Sequence, residues 1–459
     1  MSEEDSATGD DGVPNDVLDE GANLVAFVES TDAAVVALWW RDGDDRRVTF
    51  ASGADPVPPG VASDEESVVD VRAVDAEPPV ARPIPLAAVD AVRTLPTTET
   101  ATAALPDDRP RRAALLRGLA AHAPELVDVG VVLCLLASPA DDGPVVTDAL
   151  RCLSTLADER PADCVAAIPR VHALVTDPAN HTVHAASLTC LAALAAARPG
   201  EVAPHVESVF PALTAEDRPL VTAATTCVSH VASADPASVS AATDSLVDLT
   251  TTADPTVRLH ATYTLGRVAV VAPEAVRPGV DSLVRVIGDG TERTATRLNA
   301  TCAVGRITGE WPDAVVEYLP TFAGALDDDD AGVRANAAGV VGDVATAHAV
   351  AVRRHVDALL ACLDDEDDVT RANGSTALAR VAREFPETVC PHVDRLVDAL
   401  EDDDPLVREN ACWTLGYLRD EARPARPVLE RVRTDDGNER VRGRAAWALD
   451  EVDGVGATD

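Results

Sequence analysis

From residue 386 onward the apolar positions fall at helical spacing. Val389, Val393, Leu396, Val397 and Leu400 share one face of a helix, and Val407, Ala411, Leu415 and Leu418 share one face of a second, because side chains three and four apart lie on the same side of an α-helix. An acidic run, Glu401 to Asp404, separates the two. Pro386 opens the first helix; Asp404 reads as the N-cap of the second and Pro405 as its first position. An aspartate oxygen can accept from a free first-turn N–H, and proline has no N–H to leave unpaired there. Pro391 falls inside the first helix, where it removes a backbone hydrogen bond and should kink it. Pro204, Pro278 and Pro320 stand in the same place elsewhere.

The pattern recurs. Arg258, Arg297, Arg334, Arg371, Arg408 and Arg442 lie 39, 37, 37, 37 and 34 residues apart. Two residues on stand His260, Asn299, Asn336, Asn373, Asn410 and Arg444. Four before stand Asp254, Asp330, Asp367, Asp404 and Asn438, with Arg293 as the exception. Prolines give a second ruler: Pro124, Pro161, Pro199, Pro236, Pro273, Pro312 and Pro386 are spaced 37, 38, 37, 37, 39 and 74. This ruler extends the array leftward, where 182–199 aligns with 256–273 and His184 takes the place of Arg258. Two helices per unit at a fixed period predict stacked hairpins, each sealed by its neighbours.

The letters D-P-x-V-R-x-N-A-x-x-x-L-G, as they stand from Asp404 to Gly416, closely resemble the second helix of HEAT repeats, and the likeness covers roughly 109–454. It extends to armadillo repeats and to the HEAT-type repeats named after phycobilin lyases, although no catalytic signature accompanies it. The resemblance implies an all-α fold, a right-handed α-solenoid of about nine helix-pair repeats, behind a small α+β N-terminal region. It also implies a role for the polar columns. In such repeats each arginine meets an aspartate of its own or the adjacent loop. Here that would make a ladder of Asp254, Arg258, Arg297, Asp330, Arg334, Asp367, Arg371, Asp404, Arg408 and Arg442. Asn299, Asn336, Asn373 and Asn410 could bridge to free backbone carbonyls at the unit boundaries. Pairs of this kind chiefly fix register, since desolvation offsets much of the Coulomb gain. Armadillo proteins use an asparagine row to hold extended peptides, which gives the same column a binding reading.

The first hundred residues differ. Residues 1–22 read as a disordered acidic tail. Residues 23–106 read as a small α+β domain with loops: 34–40 and 48–51 as a β-hairpin, 68–74 as a further strand, 52–66 and 76–85 as loops. The array runs over 107–454, with the helix near 116–123 shielding the first full repeat, and 455–459 form a tail.

Composition sharpens this picture. Aromatics are 3% of the 459 residues, and the apolar set is mostly Ala, Val and Leu, which suits closely packed helices. The net charge is −40, and all 38 basic residues are arginine. Such an acid excess concerns solubility and counterions rather than fold. It resembles the cytoplasmic proteome of a salt-in haloarchaeon, and it argues against sequence-independent binding to phosphate backbones. Nine cysteines never form C-x-x-C; most lie in apolar helical runs, where a thiol acts as a small hydrophobe. The N-terminus carries no secretory signal pattern, and the apolar run near 129–137 is too short to span a bilayer. The expectation is a cytoplasmic protein without a membrane partner.

Candidate chemistry is sparse. Trp413 and Trp447 stand equivalently in the last two units and resemble the tryptophans of armadillo peptide grooves, although Tyr417 and Glu451 replace the asparagine that follows there. They are either rings packed between repeats or partner-binding residues. His181, His184 and Cys190 are fewer than the four convergent ligands zinc wants, so no metal and no cofactor is expected. No histidine is followed by glutamate, and no P-loop, G-x-S-x-G or G-x-G-x-x-G pattern occurs. The Asp runs at 327–330, 364–368 and 401–404 read as a solvated loop edge. The leading expectation is a non-enzymatic scaffold whose concave face binds a protein; the competing one is a regulatory or adaptor subunit of an enzyme.

Overall fold

The computed structural model describes residues 35–42, 45–52, 68–72, 81–85, 89–95, 97–137, 142–176 and 181–454. The expected tails at 1–22 and 455–459 lie outside the described residues. The chain divides into two compact units, Met1–Val231 and Ala232–Asp459. The division falls inside a helix, within the stretch that the repeat rulers treat as one array.

The first unit begins with strands. β1 (Val35–Asp42) and β2 (Asp45–Ser52) form the expected hairpin, antiparallel from Val35↔Ser52 to Asp42↔Asp45. β3 (Val68–Arg72) and β4 (Ala81–Pro85) form a separate pair, and β5 (Val89–Thr94) adds to the other side of β1, giving the order β2-β1-β5. β4 lies where a loop was expected. Its Pro83 and Pro85 lower strand propensity, but a two-stranded ribbon leaves each strand one unpaired edge, where a missing N–H costs nothing. Ala37, Leu38 and Val48 are buried.

Helices follow: α1 (Thr98–Ala104), α2 (Arg109–His122), α3 (Val129–Leu136), α4 (Gly143–Glu159), α5 (Ile168–Thr176) and α6 (His181–Ala197). α2, α4 and α6 pack side by side in sequence order, with α3 and α5 as their hairpin partners. α7 (Arg218–Ala234) carries the division between the units.

The second unit shows the repeat at its most regular. Its first helices are α8 (Thr243–Leu249), α10 (Val280–Gly288), α12 (Leu319–Ala325), α14 (Val356–Ala361), α16 (Val393–Ala399) and α18 (Arg426–Asp435). Its second helices are α9 (Pro255–Val271), α11 (Thr294–Thr308), α13 (Ala331–Val352), α15 (Asp368–Glu384), α17 (Pro405–Leu418) and α19 (Glu439–Val452). Each second helix packs on the next. Apolar faces such as Val407, Ala411, Leu415 and Leu418 are buried between them.

The proline expectation acquires local detail. The first helix is not one kinked rod. Before α16 the chain makes a helical turn at Pro386–Val389 and a 3₁₀ turn at Cys390–His392, which holds Pro391. Pro204 and Pro278 also sit in 3₁₀ turns, whereas Pro320 falls in the first turn of α12. Residues ahead of ruler prolines leave the helical region: Trp311 has φ −130° and Phe385 φ −138°, as the ring's clash with the preceding residue demands. Among the described residues one helical stretch, 331–364, is long and apolar enough to cross a membrane by length and composition. It is broken at His348 and its most apolar window is 56% buried inside the protein, as befits a core helix.

Candidate functional site

Two sets of polar contacts join successive hairpins of the second unit. The forward set is built from the arginine column. Arg334 donates from Nη1 to the carbonyl of Asp328, 2.9 Å away in its own loop. That anchor aims Nε and Nη2 at the next loop, where they donate to the two carboxylate oxygens of Asp365 at 2.7 and 2.8 Å. Arg371 repeats this on Asp365 O and Asp402, and Arg408 on Asp402 O and Asp436. Arg297 reaches Asp328 through Nη2 and Glu292 O through Nη1. Arg258 takes Glu292 and the carbonyl of Thr252.

The acids on these forks are not those expected from the sequence. Asp254, Asp330, Asp367 and Asp404 are the helix N-caps: their side chains accept from first-turn N–H groups, as Asp404 does from Leu406 at 2.7 Å. The fork acids stand two residues earlier, at Asp328, Asp365, Asp402 and Asp436. Each also accepts from the backbone N–H of the capping residue, as Asp365 does from Asp367 at 2.9 Å. One loop therefore needs two side-chain oxygens with different tasks, and the spacing D-x-[DN] is the signal that encodes both. Where Arg293 breaks the column, buried Glu292 takes the fork from Arg258 and accepts from the N–H of Arg293 at 2.8 Å.

The side chains of Arg334 and Asp365 are 12% and 10% exposed, so solvent screens them less than a surface pair. Hydrogen bonding from Arg334 holds the Asp365 carboxyl below its ordinary range against the opposing effect of burial, and Arg408 does the same for Asp436. The same bonds raise the guanidinium pKa of Arg334, Arg371 and Arg408.

The backward set comes from the asparagine column. Asn373 donates to the carbonyl of Ala335 on the preceding second helix at 2.9 Å, and Asn410 donates to Ser375 and Thr376 at 3.0 and 2.8 Å. Asn336 reaches Cys302 Sγ at 3.2 Å and Gly332 O at 2.8 Å. Asn299 is half-buried, its backbone oxygen 3.4 Å from where a Cβ on Gly266 would stand. Arg442, the last of its column, keeps the anchor to Asp436 O at 2.7 Å.

Trp413 and Trp447 meet each other at 4.7 Å between ring centroids, and Tyr417 lies 5.6 and 5.4 Å from them. The Arg444 guanidinium carbon sits 3.2 Å from the Trp413 centroid, and desolvation lowers its pKa. Trp447 rests on Gly416, where any Cβ would overlap the indole. Both tryptophans stay half-buried. Beside them opens a groove of about 570 Å³, lined by Arg383, Glu387, Tyr417, Arg419, Trp447 and Glu451 among others. Arg419 is the one non-glycine described residue with positive φ, at 51° with ψ −127°.

Among the described residues no three or more His, Cys, Asp or Glu side chains are grouped to hold a metal. The nine cysteines are free. Burial pushes the Cys164 thiol up to about 11 and Cys190 to about 12, which suppresses the reactive thiolate.

Paired helices stacked by neighbour contacts, with recurrent cap, fork and asparagine positions, define an α-solenoid of the HEAT and armadillo kind. Comparison with known proteins agrees. Residues 356–450 match the family described as HEAT repeats, and 295–384 match the non-SMC mitotic condensation complex subunit 1 family. No curated protein matches the chain. Among solved structures, an engineered protein from a structural genomics consortium is 21% identical, with a TM-score of 0.67 over 78% of this chain and 98% of its own. A structure from work on a phosphorylation switch controlling the interaction between cadherin and beta-catenin is 15% identical, with a TM-score of 0.61 over 79% of this chain and 84% of its own.

Proposed function

We propose that this protein is a non-enzymatic interaction scaffold that holds a protein partner on the face formed by its second helices, with Trp413 and Trp447 contributing contact area. The observation that carries this reading is the half-buried cluster of Trp413, Tyr417 and Trp447 beside the 570 Å³ groove. Large rings of low rotamer entropy at the edge of a recess are the residues that dominate protein interfaces. The unusual backbone of Arg419 in the groove wall is the sort of strain that folds retain at working surfaces. The related architecture in the beta-catenin work is linked to an interaction with cadherin, which supports a protein as the partner class. The charge of −40 with arginine as the sole basic side chain supports a salt-rich cytoplasm as the working environment.

The test is capture of partners by the full chain from its native host's extract in molar KCl, beside a Trp413→Ala/Trp447→Ala variant whose fold is verified by circular dichroism. The reading expects a defined protein to be depleted at least about tenfold in the variant's capture. Equal capture by both chains would overturn the role of these rings.

A further inference from the structure

In four successive hairpins the chain leaves the helical region at Ala272, Trp311, His348 and Phe385, each 14 residues after its column arginine, with φ between −146° and −130°. After Arg408 the departure comes at Arg419, 11 residues on, with φ 51°. The second helix is thus three residues short, close to one helical turn, and Arg442 follows Arg408 by 34 residues where the preceding interval is 37. The groove of about 570 Å³ opens at this shortened end, between the C-terminal halves of α15, α17 and α19, which supply Arg383, Tyr417 and Trp447. We infer that the groove takes an aromatic side chain of a partner protein in the place of the missing turn, with a basic residue beside it in the partner's sequence. The inference rests on the scaffold reading and names the partner's chemistry.

Two of the longer hairpins show what fills the equivalent place. There the departing residue is a ring that stacks back on a guanidinium: Trp311 with Arg277 at 5.2 Å, and Phe385 with Arg353 at 5.1 Å. Both arginines hold one repeat position, four residues after Pro273 and after Ala349, which fills the ruler proline's place. At the groove Cys390, four residues after Pro386, holds the arginine's position, and Arg419 holds the ring's. Ring and stacking cation are therefore both lacking at this joint, and the space is walled by Tyr417 and Trp447, which offer an incoming ring the offset or edge contacts that aromatic pairs prefer. Charge selects what stands beside that ring. Arg419 pairs with Glu451 at 3.8 Å and Arg383 with Glu384 at 3.2 Å. Glu387 and Glu421 also line the groove, are exposed, and enter no ion pair among the described residues. Two carboxylates without a counter-charge favour a cation on the occupant. A ring seated in a recess with a charged neighbour at the rim is the usual anatomy of an interface anchor.

The probe is the blocked peptide Gly-Arg-Phe-Gly, added to the full chain in molar KCl. The readout is the rate at which N-ethylmaleimide modifies Cys390 in the groove wall, followed by peptide mass spectrometry. With a dissociation constant near about 1 mM, about 10 mM peptide leaves roughly one protein in ten free, so modification should slow about tenfold. Exposed Cys134 should keep its rate. Exchanging the peptide's Phe for Ala should abolish protection, and exchanging its Arg for Glu should weaken it. Glu387→Gln combined with Glu421→Gln, both on the exposed surface, should erase the preference for Arg over Glu and keep the dependence on Phe. No protection by Gly-Arg-Phe-Gly, or equal protection by all three peptides, overturns the inference; a preference for Arg that survives both Gln changes overturns the basic neighbour. In the capture experiment above, Cys390→Trp fills the groove and, with its fold verified by circular dichroism, should deplete the same protein at least about tenfold. Loss with the Trp413/Trp447 variant but not with Cys390→Trp sinks the groove and leaves the scaffold standing, whereas loss with neither sinks both.

Discussion

Ala349 occupies the place that proline fills at 312 and 386, 37 residues to either side. The backbone breaks there all the same: His348 has φ −131° and ψ 46°, close to φ −138° and ψ 60° at Phe385. Packing of the hairpin on its neighbours therefore imposes the bend, and the prolines elsewhere only remove competing conformations from the unfolded chain. Ala349→Pro should raise stability by about 0.5–1 kcal/mol, read as a higher thermal midpoint; a lower midpoint would show that the Ala349 N–H matters. The gap of 74 in the proline ruler was visible in the sequence, but its meaning was not, since a missing proline looks the same whether the bend is kept or lost. Gly416 is a similar case. A glycine leaves room for a close neighbour, and only the structure identifies that neighbour as the Trp447 ring.

At the scale of the hairpin, the two contact sets share the work of registration: arginine forks reach forward and asparagines reach back. The Asp365 and Asp436 carboxyls are held below an ordinary value near 3.8. Their contribution is complete above that value and is lost as pH falls through the lowered folded value. Stability should therefore fall steeply below about pH 4, and Asp365→Asn should flatten that fall while costing about 1–3 kcal/mol near neutrality. Denaturant midpoints over a pH series give both numbers. The arginine column was legible because one letter recurs at one spacing. Its acid partners were misplaced by two residues because runs such as Asp327 to Asp330 offer several identical letters to a single fork. β4 escaped notice for the opposite reason: Pro83 and Pro85 speak against a strand unless the ribbon's free edge is known.

At the scale of the molecule, charge governs. A chain carrying −40 with 78 acidic and 38 basic residues repels itself in dilute buffer, and added counterions relieve that repulsion. Moving from dilute buffer to molar KCl should raise the thermal midpoint by at least about 5 °C, even though exposed pairs such as Arg426–Asp453 lose attraction; a midpoint that falls with salt would remove the case for a saline habitat. The joints carry a consequence for how such a chain changes length. In the regular joints an arginine of one hairpin donates to an acid of the next, and an asparagine of the later hairpin donates back to the earlier one, with the same polarity from joint to joint. Duplicating a single module in frame thus delivers a matching half to both of its new borders and leaves every older border unaltered. Growth by copying needs no compensating substitution, so the length of the array can drift while its grammar is preserved.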